Sequence, residues 1–240
     1  MTVFDAHAHA GEGDAQSELR QRLGIRTMLS CGTPEEAERG EQLASRFSVY
    51  TLTAGVHPWH AGHIAPADME PFMRRAALIG EIGLDSVWCD VPMRIQRDVF
   101  TWQLDWAQRA GKAVVLHTKG CEAEIARRIA PYTVPFVVHW YSGDEDTLDL
   151  FVQKDCYFTI GPDIARNESV RAVARRVRSE RLLFETDGYS AVCWALGDVP
   201  LSALGNVLRD GVREAARLRG DDPQRLCDIA NGNFIRLTAG

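Results

Sequence analysis

Six side chains that can bind metal ions lie at the ends of apolar, strand-like segments, although they are far apart in the sequence. They are four histidines and two carboxylates: His7, His9, Glu81, His117, His139 and Asp187. Parallel strands that close into a barrel bring the same end of every strand to one face. The pattern therefore predicts a parallel barrel with the six side chains together at its mouth.

The rest of the chain alternates between strand-like and helical patterns, as such a barrel requires. Runs rich in Val, Ile, Leu, Phe and Thr end near eight positions: His9, Cys31, His57, Glu81, His117, His139, Ile160 and Asp187. Helical periodicity is found at residues 35–47, 93–110, 122–130, 144–153 and 169–177. We expect an α/β fold, a TIM-like (β/α)8 barrel, that forms a single domain over residues 1–240.

The remaining helices are less regular in sequence. Three prolines, Pro58, Pro66 and Pro71, leave room for only a short helix around residues 68–77. Residues 200–219 are expected to form the eighth helix, and residues 222–237 a closing C-terminal helix.

Composition limits the classes of function. The chain has 45% hydrophobic residues, a net charge of −6 and a pI near 5.7, so it offers no general attraction for nucleic acid. Its arginine-rich stretch, residues 166–181, is interpreted as a solvated outer helix face. The N-terminal segment does not resemble a signal peptide, no run approaches a membrane span, and the six cysteines lack C-x-x-C spacing. We expect a cytoplasmic protein without membrane contact.

The first strand carries the first two candidate ligands. His7 and His9 stand two residues apart, so both side chains point to the same face of a strand. An isolated pair of this kind is also compatible with two surface histidines. The later repetition of a strand-terminal histidine, at His117 and again at His139, favours metal binding.

Each carboxylate of the set has an acidic neighbour. Glu81 lies within an apolar run, where a buried charge needs a cation or a hydrogen-bond network. Asp85, four residues later, is either a helix N-cap or a residue that supports a ligand. Asp187 follows the eighth strand, which pairs with the first strand in a closed barrel, and Glu185 is expected to join a supporting network deeper inside.

The donor types indicate the metal. Histidines and carboxylates without thiolates suit Zn, Mn or Mg, and six donors exceed what one four-coordinate catalytic zinc uses. We expect one or two divalent metal ions, with two ions bridged by one carboxylate as the arrangement that uses all six donors. His57 is predicted to contact substrate, and the loop aromatics Trp59, Trp88, Trp140 and Tyr141 either stack bases or pack the loops.

Several motifs together resemble the TatD-type deoxyribonucleases of the amidohydrolase superfamily. They are His-x-His at 7–9, Gly-Glu-Ile-Gly-Leu-Asp at 80–85, His117, His-Trp-Tyr-Ser-Gly at 139–143 and Glu-Thr-Asp at 185–187. The resemblance implies that His7, His9 and Asp187 hold one metal, that His117 and His139 hold the other, and that Glu81 bridges them. It also implies that Gln96, Phe100 and Gln103 belong to the helix after the fourth strand.

The chain departs from the family pattern at three positions. Lys119 stands where the family often has Arg, Gly188 begins a turn that usually contains Pro, and Ser86 replaces a common Tyr. Lysine binds phosphate as a point charge and not as a bidentate fork. These departures bear on the choice of substrate, while the metal ligands are retained.

The expected enzyme is a metal-dependent hydrolase of phosphodiester bonds that removes nucleotides from a DNA end, single-stranded by preference, through a metal-activated hydroxide. In this scheme Asp187 is the general base, Glu81 bridges the metals, and His57, Lys119 and Tyr141 contact the substrate. One rival is a hydrolase of a small ester, lactone, amide or phosphate on the same barrel. Another is a non-catalytic, metal-binding regulator.

Overall fold

The apolar runs of the sequence form eight parallel strands within residues 1–239, the part of the chain that the computed structural model describes. The strands are β1 (Asp5–His9), β2 (Thr27–Cys31), β3 (Tyr50–Ala54), β4 (Leu78–Gly83), β5 (Val114–His117), β6 (Phe136–Val138), β7 (Tyr157–Ile160) and β8 (Leu182–Phe184). They lie in sequence order, each parallel to the next. The predicted TIM-like barrel is confirmed.

Ten α-helices surround these strands within residues 1–239. They are α1 (Ala15–Leu23), α2 (Pro34–Arg46), α3 (Pro66–Arg75), α4 (Met93–Ala110), α5 (Glu122–Ile129), α6 (Glu145–Gln153), α7 (Glu168–Arg176), α8 (Tyr189–Leu196), α9 (Leu204–Arg219) and α10 (Pro223–Thr238). Side chains mark several starts: Thr33, Asp144 and Asp222 each accept a hydrogen bond from a backbone amide in the first turn.

The C-terminal helix closes the barrel at the end opposite its mouth. Phe234 and Leu237 of α10 join a buried cluster with residues from the early part of the strands, including Ala6, Met28 and Leu183. The amino ends of the strands are therefore sealed by apolar packing. The carboxyl ends remain available for polar side chains.

A buried ion pair fastens the last strand to the first. The Asp5 carboxylate accepts hydrogen bonds from Arg20 Nη1 at 2.6 Å, from the Thr186 hydroxyl at 2.6 Å and from the Thr186 amide at 2.9 Å. The Asp187 amide then donates to the His7 carbonyl at 3.0 Å. Arg20 and Asp5 are almost completely buried. These side-chain bonds close the barrel between the last strand and the first, where the described residues form no regular backbone ladder.

Two helices were not predicted from sequence. Helix α1 turns Ser17, Leu19 and Arg20 inward, and the buried arginine hides its apolar periodicity. Helix α8 follows the eighth strand directly. The helix predicted over 200–219 is present as a 3-10 turn at Leu201–Ala203 followed by α9, but it is the ninth helix and not the eighth. Within residues 1–239 no single helix is long and apolar enough to cross a membrane; one bent pair, Tyr189–Leu196 with Leu201–Arg219, passes that length and composition test together.

The Arg20–Asp5 pair generates a stability prediction. Replacing Arg20 with Met leaves the buried Asp5 carboxylate without its cation, and breaking a buried pair in this way costs about 3–5 kcal/mol. We expect the urea unfolding midpoint of Arg20→Met to fall accordingly. The matched control is Arg46→Met, which breaks the solvent-exposed Arg46–Asp14 pair and should change the midpoint little. Equal midpoints for the two variants would show that the seam does not depend on this pair.

Candidate metal centre

The six predicted ligands converge at the carboxyl ends of the strands. Strand β1 supplies His7 and His9, β4 supplies Glu81, β5 supplies His117, and the segments after β6 and β8 supply His139 and Asp187. Glu81 lies in the middle of β4, whereas the sequence analysis placed it at a strand end. Its side chain is buried, as are those of three of the histidines, so the cluster lies just below the mouth.

Glu81 is the centre of the cluster, because its two oxygens face different histidines. Oε1 lies 2.9 Å from His9 Nε2 and 3.6 Å from His7 Nε2. Oε2 lies 3.3 Å from His117 Nδ1 and 3.4 Å from His139 Nε2. A carboxylate that presents one oxygen to each of two donor groups has the arrangement needed to bridge two ions.

Two further carboxylates orient the histidines of the second group. Asp85 Oδ2 lies 3.1 Å from His117 Nε2, and Glu185 Oε2 lies 3.1 Å from His139 Nδ1. In each ring, one nitrogen donates to the orienting carboxylate and the other nitrogen faces Glu81. Such carboxylate–histidine pairs commonly fix metal-binding imidazoles. Helix α4 starts after Pro92, so Asp85 is not its N-cap.

Two glutamines of α4 hold the loops that carry these residues. Gln96 Oε1 accepts from the Asp85 amide at 2.8 Å, and Gln96 Nε2 donates to the Asp85 carbonyl at 3.0 Å. Gln103 makes the same pair of bonds to Val56, at 2.6 and 3.1 Å. The buried helix face therefore fixes the backbone beside both Asp85 and His57.

The donor set fits divalent metal ions. Among residues 1–239, both ring nitrogens of His7 and Oδ1 of Asp187 are buried without a hydrogen-bond partner. Unpartnered buried polar atoms are costly, and an ion between them removes that cost. Three groups of donors each have their atoms within 4.8 Å of one another: His7, His9 and Asp187; His57, Glu81 and His117; His7, His139 and Glu185.

The charges of the cluster shift the pKa values of its carboxylates and histidines in opposite directions. Burial opposes ionisation of Glu81, but the nearby His7, His57 and His139 hold its pKa well below the usual range. Burial also disfavours a charged His117, yet hydrogen bonds to Asp85 and Glu81 raise the pKa of His117 to about 9. In the metal-free protein, protons on histidines thus neutralise the buried carboxylates.

His57 differs from the other histidines of the cluster. Burial lowers the pKa of His57 to about 3, so its ring is neutral near pH 7. Its Nδ1 accepts a hydrogen bond from the Trp59 amide at 3.2 Å, which places the ring proton on Nε2. Nε2 lies 3.5 Å from Glu81 Oε1. His57 therefore offers an N–H donor at the edge of the cluster.

A cavity of about 580 Å³ opens above the cluster. Its wall includes all the predicted ligands except His7. It also includes His57, Lys119, three tryptophans of the loops and residues of α8. The Lys119 ammonium lies 3.3 Å from Ser142 Oγ and 4.4 Å from the centre of the Trp88 ring. Lys119 thus lines the cavity, and its contact with substrate stays a prediction.

The prediction that Tyr141 contacts substrate was wrong. Tyr141 is buried, donates its hydroxyl to the Asp144 carbonyl at 2.6 Å and packs against Phe151 and Phe158. Its neighbour Trp140 has a left-handed backbone with φ 35°, and Trp140 lies on the cavity wall instead.

Sequence reasoning missed Trp194, which is 71% exposed on α8 and lines the cavity. Helix α8 is apolar on nearly all sides, so no periodicity marked its outward residues. The chain enters α8 through Gly188 at φ 93°, where a Cβ would lie 3.1 Å from the His9 carbonyl. The one signal in the sequence that could have identified Trp194 was its position, a tryptophan soon after the last predicted ligand in an apolar segment to which no element had been assigned.

Residues 4–239 match the family model described as TatD related DNase. The "3'-5' ssDNA/RNA exonuclease TatD" of Edwardsiella piscicida is 29% identical over 233 residues, covering 90% of this chain and 89% of that protein. The "Uncharacterized metal-dependent hydrolase TatD" of Mycobacterium tuberculosis is 26% identical over 212 residues, covering 77% and 79%.

Solved structures share the fold. The structure of YJJV, a TATD homolog from Escherichia coli, superposes with a TM-score of 0.84 at 21% identity and covers 99% of this chain and 98% of its own. A hydrolase TatD family protein from Entamoeba histolytica gives a TM-score of 0.80 at 14% identity, with 99% and 98% coverage. At these identities the likeness concerns the barrel alone.

The protonation pattern generates a pH prediction for the metal-free protein. A raised pKa means that proton binding by His117 stabilises the fold fully below about pH 6.5, and this contribution is lost as pH rises through about 9. Ring ¹⁵N NMR at pH 7 should therefore show His117 doubly protonated and His57 neutral. Adding Zn²⁺ at pH 7 should remove the extra proton from His117. A neutral His117 before metal addition would contradict the prediction.

Proposed function

The chain belongs to the TatD-related DNase family, and from this premise we propose that it removes nucleotides from an end of a DNA strand by metal-dependent hydrolysis of phosphodiester bonds. The observation that carries the proposal is the position of Glu81, which presents one oxygen to each of two donor groups beneath an open cavity. This arrangement is suited to an in-line displacement at phosphorus.

Six residues would hold one or two divalent ions, with Zn, Mn and Mg as the ions that suit the donors. In this proposal His7, His9 and Asp187 would hold one ion and His117 and His139 the other, and Glu81, whose oxygens lie within 3.6 Å of all four histidines, would join the two groups. Bound ions supply Lewis acidity to the phosphate and lower the pKa of water. The raised pKa values of His7 and His117 mean that metal uptake displaces protons from these rings.

The chain's own residues position the substrate and move the proton. Asp187 Oδ1 lies at the edge of the cavity without a hydrogen bond within residues 1–239, so it is free to accept the proton of the attacking water. Burial opposes its ionisation, but the nearby rings of His7, His139 and His9, with His7 Nε2 at 3.4 Å from Oδ1, hold the pKa of Asp187 below its usual value. His57 Nε2–H and the Lys119 ammonium would donate to phosphate oxygens.

The first test compares substrates. Metal-stripped protein should degrade neither linear nor circular single-stranded DNA, and added Mn²⁺, Mg²⁺ or Zn²⁺ should restore activity on the linear strand only, because an end must enter the cavity. Labels at each terminus identify the end that is attacked. Equal cleavage of the circular strand would overturn removal from an end. Hydrolysis of carboxyl esters alone would overturn the phosphodiester assignment in favour of the small-substrate alternative.

The second test concerns the proton acceptor. Asp187→Asn retains the shape of the side chain but removes its basicity, so kcat should fall by about 10²- to 10⁴-fold while KM changes little. Bound metal must be measured on the same sample. His57→Ala is expected to act mainly on KM with metal content retained. Near-normal turnover by fully metal-loaded Asp187→Asn would show that another group accepts the proton.

A further inference from the structure

Three tryptophans line one side of the cavity mouth. They come from separate elements: Trp88 from the loop after β4, Trp140 from the segment after β6 and Trp194 from α8. The Trp194 ring centre lies 6.0 Å from that of Trp88 and 6.0 Å from that of Trp140, edge to face in both pairs. Trp88 and Trp194 are more than half exposed. Exposed apolar surface gathered at one place commonly marks a binding site.

Trp140 is fixed in position. Its indole Nε1 donates to Asp163 Oδ1 at 3.0 Å, and its backbone amide donates to Thr159 Oγ1 at 2.9 Å. The indole lies against Gly161, where a Cβ would be 2.9 to 3.0 Å from three atoms of the ring. Fixing a bulky residue with φ 35° requires such anchors. Trp140 is thus positioned before any ligand enters, which lowers the entropic cost of binding to it.

The cavity contains little positive charge to attract a phosphate backbone. Of its lining residues within 1–239, Lys119 alone is a lysine or arginine, whereas Glu36, Glu81, Asp163 and Asp187 are acidic. Most arginines of the basic stretch are paired with carboxylates on the outer ring, for example Arg176 with Glu145 and Asp149, whereas Arg166 donates to the Ala195 carbonyl of α8. Binding that relied on phosphates alone would need several free cations. In the proposed scheme the bound ions hold the phosphate that is cleaved, so the rest of the strand must be held largely by its bases.

We propose that Trp194, together with Trp88 and Trp140, forms a stacking platform for the unpaired terminal base of the strand. The inference rests on the proposed function and adds how the substrate is recognised. Aromatic faces accept any base, provided that the base is not already stacked in a duplex. Lys119, held over Trp88, places one cation beside the platform for the adjacent phosphate. The platform would therefore select single-stranded ends although residues 1–239 place no row of basic residues along the cavity.

The test replaces Trp194 in the metal-loaded enzyme with Phe, Leu or Ala, and measures hydrolysis of linear strands whose terminal nucleotide is either intact or abasic. Base stacking on one aromatic is expected to make KM for the intact end rise about 5- to 100-fold in Trp194→Leu and Trp194→Ala. Trp194→Phe, which keeps an aromatic face, should stay within a few fold of the wild type. The KM increase for the abasic end should be at least about fivefold smaller.

A control and a salt titration complete the experiment. Ile235→Ala removes an exposed apolar side chain from α10, away from the mouth, and should leave both KM values unchanged. For the wild type, log affinity against log salt should have a slope shallower than about −2, since each phosphate contact to a single strand adds about −0.7.

The outcomes separate this inference from the proposed function. If the wild type hydrolyses neither strand, both fail. If it hydrolyses both strands and Trp194→Leu affects the intact and abasic ends equally, only the platform is wrong. A raised KM for an aryl ester with unchanged KM for the strands would likewise overturn the platform, because the tryptophans would then serve a different substrate.

Discussion

The buried carboxylate of Glu81 dictates the arrangement around it. A carboxylate inside a protein needs cations or strong hydrogen-bond donors on each oxygen, and here those donors are imidazoles delivered by three other strands. The donors in turn need orientation, which Asp85 and Glu185 provide. The glutamines of α4 fix the loop that carries Asp85. The imidazoles, the carboxylates that orient them and the glutamines that fix the loop together stabilise the buried charge of Glu81.

The barrel seam and the metal centre are parts of one structure. Asp5 and His7 belong to the same strand, and Thr186 immediately precedes Asp187. The Asp5–Arg20–Thr186 network therefore fixes the relative positions of two predicted ligands, one from the first strand and one from the segment after the last strand. The bond between the Asp187 amide and the His7 carbonyl joins two ligand backbones directly. Stability and ligand geometry therefore depend on the same few buried polar groups.

The barrel and the convergence of the six donors could be predicted because each strand end is recognisable from a short stretch of sequence, an apolar run followed by His, Asp or Glu. Helix α1 could not, because its inward face carries Arg20, whose partner Asp5 is brought near only by folding. Tyr141 was misplaced for a related reason. The backbone is left-handed at Trp140, which lines the cavity, while the next residue, Tyr141, is buried, and no local pattern indicates a left-handed tryptophan. The metal-binding roles themselves remain predictions.

The joining of the first and last strands has a consequence for biosynthesis. Thr186 meets Asp5 across 181 positions of sequence, so a chain still emerging from the ribosome lacks the strand that completes the barrel and, with it, the ligand Asp187. Such a chain presents an open sheet with an incomplete donor set. In the proposed scheme a protein with this topology would become active toward nucleic acid only when its translation is nearly finished, and a fragment that ends before Asp187 would not become active at all.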